Sequence, residues 1–496
     1  MTKTLIGHNT PESLDNDAET VERNARRHLI QPWEFMDRLG EEPRTIVDRA
    51  DGAYVYDTEG NKLLDGPAGM WCVQVGYRRR EIAESMAEQA MQLAYNSPWY
   101  STSGPAANLA ARIAEFTPGD LNHIFFTTGG STAVDSALRF VHFLNNYRGR
   151  PEKKHILSRN DAYHGSTYLT ASCSGKIRDR QYLDTASHLV THLTSPNPFR
   201  RDPSMSEEAF GDFLIDEMER TILEVGPDKV AAFIAEPVLA SGGVIVPPEG
   251  YHQRTHALCR KYDILYISDE VVTAFGRLGH WFASEAVFGI TPDIITFAKG
   301  VTSGYVPLGG LAISDALLAD IEADDDGVMF ANGYTYSGHP VSCAAALANI
   351  GIMEREDLLG HVQEIAPYFQ GRLRELEDLP LVGEVRGVGL MACVDCVADT
   401  DRGSVGLIGG IAESSGSGET AMNALKLDYA IGARIDRHCQ EKGLMVRPMY
   451  NMCVMSPPLV IDKRQIDQMV DALRYGIERT TDDLEAEGLW DRRSVE

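Results

Sequence analysis

Nowhere does this chain carry the roughly 18 consecutive apolar residues that a membrane-spanning helix needs. Its opening residues, MTKTLIGHNTPESLDNDAET, place no apolar stretch behind a basic start. No secretory leader is therefore expected, and a cytoplasmic protein is. Basic residues are in short supply: 46 Lys and Arg stand against 72 Asp and Glu, a net charge of −26. Such a surface repels phosphate backbones and anionic lipid heads, which argues against a nucleic-acid or membrane partner. A local positive pocket could still hold an anion. The eight cysteines are scattered, mostly in apolar contexts, and a long chain without a leader is expected to keep them as thiols. Cys393 and Cys396 form a C-x-x-C pair with no second pair to complete four zinc ligands, so no metal is expected.

What is present is a chain of 496 residues, long enough for two or three cores. Residues 1–28 are polar, acidic and aperiodic and read as a flexible arm. Ala53–Tyr56 and Lys62–Asp65 flank an Asp-Thr-Glu-Gly-Asn turn and predict a β-hairpin. Short apolar runs then alternate with helical patterns. The predicted strands are His123–Thr127, Lys154–Ser158, Lys229–Ala235, Ile264–Ser268, Asp293–Phe297 and Leu308–Ile313. Helices are expected from Ser131, from a Ser204-x-x-Glu207 capping box, and near 251–261. Runs apolar on both faces belong to a mainly parallel sheet covered by helices, so the fold class is α/β. The expected division is a large domain over 76–345 and a smaller α+β domain built from 29–75 and 346–496. Residues 399–418, rich in Gly and Ser, read as a loop insertion with no assignable role.

Three segments carry chemistry. Thr127-Thr-Gly-Gly-Ser131 closes an apolar strand and opens a helix at once. Free N–H groups at a helix start suit a phosphate, although a plain tight turn has the same signature, and no Gly-Lys-Ser/Thr follows to make a nucleotide loop. Asp269 ends a second apolar strand, at the sheet edge where α/β folds bind ligands; a helix cap or turn acid would look alike. Lys299 closes a third strand, where burial would lower its pKa and make its amine nucleophilic. A phosphate cradle, a Schiff-base lysine and an acid for a pyridinium nitrogen together fit one cofactor, pyridoxal 5'-phosphate.

Beyond those segments, Gly69–Tyr77, Tyr163–Thr167, Ala235–Pro237, Ser268–Val271, Phe297–Gly300 and Tyr334–Pro340 resemble the motifs of class III aminotransferases of the ω-amino acid or amine:pyruvate type. The resemblance runs from about Ile30 to Leu489 and implies the fold-type I architecture. It implies that Lys299 bears the cofactor and shuttles a proton, and that Asp269 keeps the ring nitrogen protonated. Tyr163 and Val271 would pack the two ring faces, with His164 and Glu236 nearby. Gly130 and Ser131 would hold the phosphate, completed by Thr335 of an adjacent subunit, which implies a homodimer or a dimer of dimers. Trp71 and Trp33 match aromatic pocket walls, Trp33 near the partner's pocket. Arg447 matches a mobile arginine that receives a substrate carboxylate, a task suited to a guanidinium, and Glu236 is its expected resting partner or a group near the cofactor.

The sequence departs from the family's pattern at Thr128–Thr132, where relatives read Asn-Ser-Gly-Ser-Glu, so Gly129 and Thr132 are unusual. It departs again at Leu239, where relatives carry Gln, which removes a polar group expected near the cofactor. The implied reaction is ping-pong transfer of nitrogen from an amine or ω-amino acid to a keto acid such as pyruvate. Aminomutase or decarboxylating chemistry on the same scaffold is the second reading. A non-catalytic cofactor- or nucleotide-binding protein is the third, and it leaves Lys299 and Asp269 without tasks.

Overall fold

The computed structural model describes residues 18–41, 44–180, 182–322, 327–396 and 431–490. Its centre is a seven-stranded sheet made of β1 (His123–Thr127), β2 (His155–Arg159), β3 (Val190–Leu193), β4 (Val230–Ala235), β5 (Leu265–Asp269), β6 (Ile294–Phe297) and β7 (Gly309–Ile313). The strand order is β1-β7-β6-β5-β4-β2-β3. Six strands run one way, and β7 runs against both of its neighbours. Strand β4, Val-Ala-Ala-Phe-Ile-Ala, is buried at every position, because helices cover both faces of a parallel sheet. One of them, α1 (Gly130–Tyr147), buries a stripe of Val134, Ala137, Val141 and Leu144. That stripe packs with Ile156, Ile234, Ile267, Ile294 and Leu311 of the sheet in one apolar cluster.

Two four-stranded sheets lie beyond this layer. In the first, the hairpin of Tyr54–Asp57 and Lys62–Asp65 is joined by Leu444–Met445, parallel to Lys62–Asp65, so early and late parts of the chain share a ladder. The second comprises Val382–Val388, Met391–Cys396, Met452–Met455 and Arg447–Met449, with Arg447 opposite Val454. The closing helix α2 (Lys463–Ala486) starts from a capping box between Asp462 and Gln465.

The expected strands fall within a residue or two of these positions, and the differences have local causes. Ser204 does not cap a helix: its hydroxyl donates to Asp202, and Ser206 instead accepts from the N–H of Ala209 to start the helix at Glu207. Strand β3 was not foreseen, because Val-Thr-His-Leu alternates too briefly to stand out. Within the expected arm, Ala18–His28 is a helix with no buried residue, while residues 1–17 and the 399–418 insertion lie outside the described residues. No described helix is long and apolar enough to cross a membrane.

The C-x-x-C pair lies on a fully buried strand. Burial pushes the Cys393 thiol up to about 12, with the nearby Arg386 pulling it back. Among the described residues no cluster of three or more His, Cys, Asp or Glu could hold a metal ion. All eight cysteines are free, and only Cys72 is partly exposed. The native protein is therefore expected to react with about one equivalent of a thiol reagent per chain, at Cys72. Two or more fast equivalents in the absence of denaturant would contradict this burial.

Candidate active site

Five loops leave the carboxyl ends of β1, β2, β4, β5 and β6 and meet at one cavity. It is lined by Trp33, Met70, Trp71, Gly130, Ser131, Tyr163, His164, Gly165, Glu236, Ser241, Asp269, Val271, Val272, Lys299 and Arg447. Every candidate named from the sequence borders this cavity except Thr335. That residue is exposed on a loop, where its carbonyl accepts from Tyr95 Oη at 3.1 Å.

Asp269, at the end of β5, is 4% exposed. Its Oδ2 pairs with His164 Nδ1 at 2.7 Å. Its Oδ1 accepts from Thr296 Oγ1 at 3.1 Å and from the Val271 N–H at 3.2 Å. Hydrogen bonds to a charged acceptor are each worth about 1.5–3 kcal/mol, and together they hold this carboxylate in a fixed place. His164 Nε2, by contrast, is buried with no hydrogen-bond partner among the described residues.

Lys299 follows β6 with φ 47°, a left-handed conformation that costs a non-glycine residue about 1–3 kcal/mol. The turn is held from outside. Asn349 Nδ2 donates to the carbonyls of Gly300 and Val301 at 2.9 and 3.0 Å. Ser303 Oγ accepts from the N–H groups of Gln74 and Val75 at 2.8 and 3.0 Å. Burial lowers the Lys299 pKa from the ordinary lysine value, and the carboxylate of Asp269 pulls the other way.

At the start of α1, Gly129 supplies no side-chain cap, and a Cβ built there meets only open space. The first N–H groups of an 18-residue helix thus face an unfilled recess, which suits an anion. A Cβ on Gly130 would press on Val271 Cγ1 at 2.9 Å, and one on Gly165 would meet Ser131 at 2.7 Å. The two glycines let these loops close round the recess. Thr132, in place of an acid, donates from Oγ1 to the Gly129 carbonyl at 2.9 Å.

Tyr163 Oη lies 2.9 Å from Ser166 Oγ, and its ring centroid is 6.2 Å from that of Trp33. Glu236 is buried, and its two oxygens accept from the N–H groups of Tyr163 and Ala240, both at 3.0 Å. Burial raises its pKa. The Arg447 guanidinium lies over the Trp71 ring, 4.4 Å from the centroid. Leu239 does not border the cavity; it packs with Ala162 and Ile245.

Sequence reasoning missed Met70, Gly165, Ser241 and Val272 on the walls and Thr296 beneath Asp269. Thr296 had left a signal, a hydroxyl inside an otherwise apolar strand, and Gly165 lay inside the Tyr163–Thr167 motif.

A helix-start recess, a hydrogen-bonded carboxylate and a strained lysine of lowered pKa around one cavity are what pyridoxal phosphate needs, and the residues present fit that group. A family model described as "Aminotransferase class-III" matches residues 35–477. The chain belongs to that family and is a pyridoxal-phosphate-dependent aminotransferase. It is 38% identical to the putrescine–pyruvate aminotransferase of Pseudomonas aeruginosa over 94% of this chain and 97% of that one. It is 37% identical to the mitochondrial gamma-aminobutyrate transaminase 1 of Oryza sativa subsp. indica, over 88% and 82% of the two chains. Among solved structures, the (S)-enantioselective omega-transaminase of Thermomicrobium roseum superposes with a TM-score of 0.86 at 36% identity, covering 94% of this chain and 99% of that one. The omega transaminase of Pseudomonas jessenii in complex with PMP does so at 0.86 with 31% identity, covering 94% and 99%.

Two outcomes follow from the lysine turn. Replacing Asn349 with Ala strands two buried carbonyls, so the variant should lose about 2–4 kcal/mol and reload cofactor more slowly, read by denaturant unfolding and by absorbance. Below its lowered pKa Lys299 is protonated and cannot attack a carbonyl. Cofactor reloading of the apo-protein should therefore speed up as pH rises, with a midpoint below the ordinary lysine value of 10.5. A midpoint at or above that value would contradict the burial effect.

Proposed function

We propose that this aminotransferase takes nitrogen from an amine or ω-amino acid and delivers it to a keto acid, with pyruvate as the acceptor, in two half-reactions. The observation that carries the reading is the convergence of Lys299, Asp269 and the uncapped start of α1 on one cavity. When bound, pyridoxal phosphate supplies an electron sink for the carbon that loses its proton. Lys299 anchors the cofactor through Nζ and, once displaced by the donor, moves the proton as general base and acid. Burial lowers its pKa from the ordinary lysine value, which favours the neutral amine that the base role needs. Asp269, fixed in place by its three hydrogen bonds, is the group that would keep a proton on the ring nitrogen of the bound cofactor. Gly130 and Ser131 offer N–H groups to the phosphate, and Tyr163 and Val271 confine the ring. Glu236 braces the Tyr163 backbone.

Trp71 forms a wall, and Arg447 stacked upon it is the group that meets a substrate carboxylate. A cation held over an aromatic face by about 0.5–2 kcal/mol can leave it when a carboxylate arrives. The relative named for putrescine and pyruvate supports pyruvate as acceptor.

We further propose a homodimer, or a dimer of dimers, in which Thr335 serves the partner's phosphate site and Trp33 borders its entrance. Thr335 sits beside exposed Tyr95 and Tyr336, whose rings contact each other, an exposed aromatic surface of the kind that associates. The cytoplasm is the proposed compartment, in keeping with eight free thiols.

Incubating the holoenzyme with pyruvate and a panel of amines should yield alanine in stoichiometric amount with each carbonyl product. Carbon dioxide release in place of alanine would favour the decarboxylating reading. Asp269→Asn should lower kcat by at least about 100-fold while leaving the fold intact, the scale of losing one preorganised electrostatic contact. Near wild-type turnover would remove the electron-sink role.

A further inference from the structure

The chemistry above leaves the hydroxyl of Tyr334 without a task, although Tyr334 stands directly before Thr335. Along this arm Phe330, Asn332 and Tyr334 are half-buried, while Ala331, Gly333 and Thr335 are exposed. That alternation is the period of an extended chain laid on a surface, with one row of side chains turned in and the other turned out.

The surface is α1. The Phe330 ring centroid lies 5.5 Å from that of Phe140 and 5.2 Å from that of Phe143. Asn332 Nδ2 donates to Ser136 Oγ at 3.0 Å. Tyr334 Oη lies 3.2 Å from Ser136 Oγ and donates to the Thr132 carbonyl at 3.2 Å. Thr132, Ser136, Phe140 and Phe143 recur at helical spacing and form one face of α1. A phenol has a single hydrogen. Tyr334 gives its own to Thr132, so the buried Ser136 hydroxyl is the donor between the pair, and Asn332 supplies Ser136 in turn. The three bonds run head to tail from the arm into the first turn of α1. That turn is the one whose N–H groups face the anion recess. Thr335 itself is exposed, so its direction depends on how its half-buried neighbour is seated.

We propose that Tyr334 is a positioning residue for the phosphate of the neighbouring active site: its hydroxyl seats the arm on α1 and thereby aims Thr335. The inference deepens the shared-site reading, in which Thr335 serves the partner, and rests on it. One helix then opens on its own phosphate and carries the arm that reaches the other.

Mixed dimers test this, because a Lys299→Ala subunit offers no amine to the cofactor and leaves one competent site. The readout is equilibrium binding of pyridoxal phosphate to the apo-dimer, followed by the absorbance of the lysine-bound cofactor. Pyridoxal, which lacks the phosphate, is the control ligand. Tyr334→Phe is placed either in the Lys299→Ala subunit, in trans to the competent lysine, or in the other subunit, in cis. The trans dimer should bind pyridoxal phosphate about tenfold more weakly than a dimer altered only at Lys299, with pyridoxal unmoved. The cis dimer should match that reference. Ser136→Ala in trans should reproduce the loss, and it carries the test should Tyr334→Phe fail to assemble. A merely structural tyrosine would weaken both ligands in both placements, which would overturn the proposal, as would a loss confined to cis. Thr335→Ala in the same placements examines the reading beneath. No effect of it in trans would sink the shared site itself. A trans loss with Thr335→Ala, but none with Tyr334→Phe or Ser136→Ala, would overturn the role of Tyr334 alone.

Discussion

A carboxylate taken out of water gives up its charge unless hydrogen bonds replace its hydration. Asp269 lines the cavity with its hydration replaced by hydrogen bonds: His164, Thr296 and the Val271 N–H converge on its two oxygens. These partners come from the loop after β2, from β6 and from the turn after β5 itself. The arrangement therefore exists only if β2, β5 and β6 are brought together in one sheet, with Asp269 beside Thr296. The sheet is the instrument that sets it: six of its strands point their carboxyl ends one way, so their loops share one rim. Around that carboxylate the other proposed roles take their places, with the lysine turn to one side and the helix start to another.

Strain is the second theme of the rim. Lys299, Trp71 and Trp33 all adopt positive φ, an unusual concentration for bulky residues. Such conformations persist only where surrounding contacts over-determine them. For Lys299 those contacts are Asn349 and the Ser303 hydroxyl bonded to Gln74 and Val75. The loop carrying Trp71 is pinned by Asp65, which accepts from Tyr77 Oη at 2.6 Å and from the Gly69 N–H at 2.8 Å. The Ser303 hydroxyl ties the turn after β6 to Gln74 and Val75, and Asp65 braces the same 65–77 segment from within.

The charges of the cavity are sorted by what holds them. Asp269 and Glu236 are fixed by hydrogen bonds, Lys299 is kept of low basicity by burial, and the Arg447 guanidinium lies over the Trp71 ring.

Much of this was written in local pattern. Apolar runs buried on both faces announced β1, β2 and β4 to β7 within a residue or two, because a parallel sheet leaves no polar face to blur the signal. Lys299, Asp269 and Gly130 were legible for the same reason: a polar or small residue that ends such a run stands at the rim. Strand β3 was too short and too polar to be seen. The tertiary structure alone decided that β7 runs antiparallel, that Leu239 turns away from the cavity, and that Glu236 is spent on two backbone amides. It alone brought Tyr334 to Thr132 across 202 residues of chain. Sequence pattern records which residues prefer burial and which backbone shapes they tolerate; which buried groups become neighbours depends on contacts far apart in the chain, and those exist only once the sheet has formed.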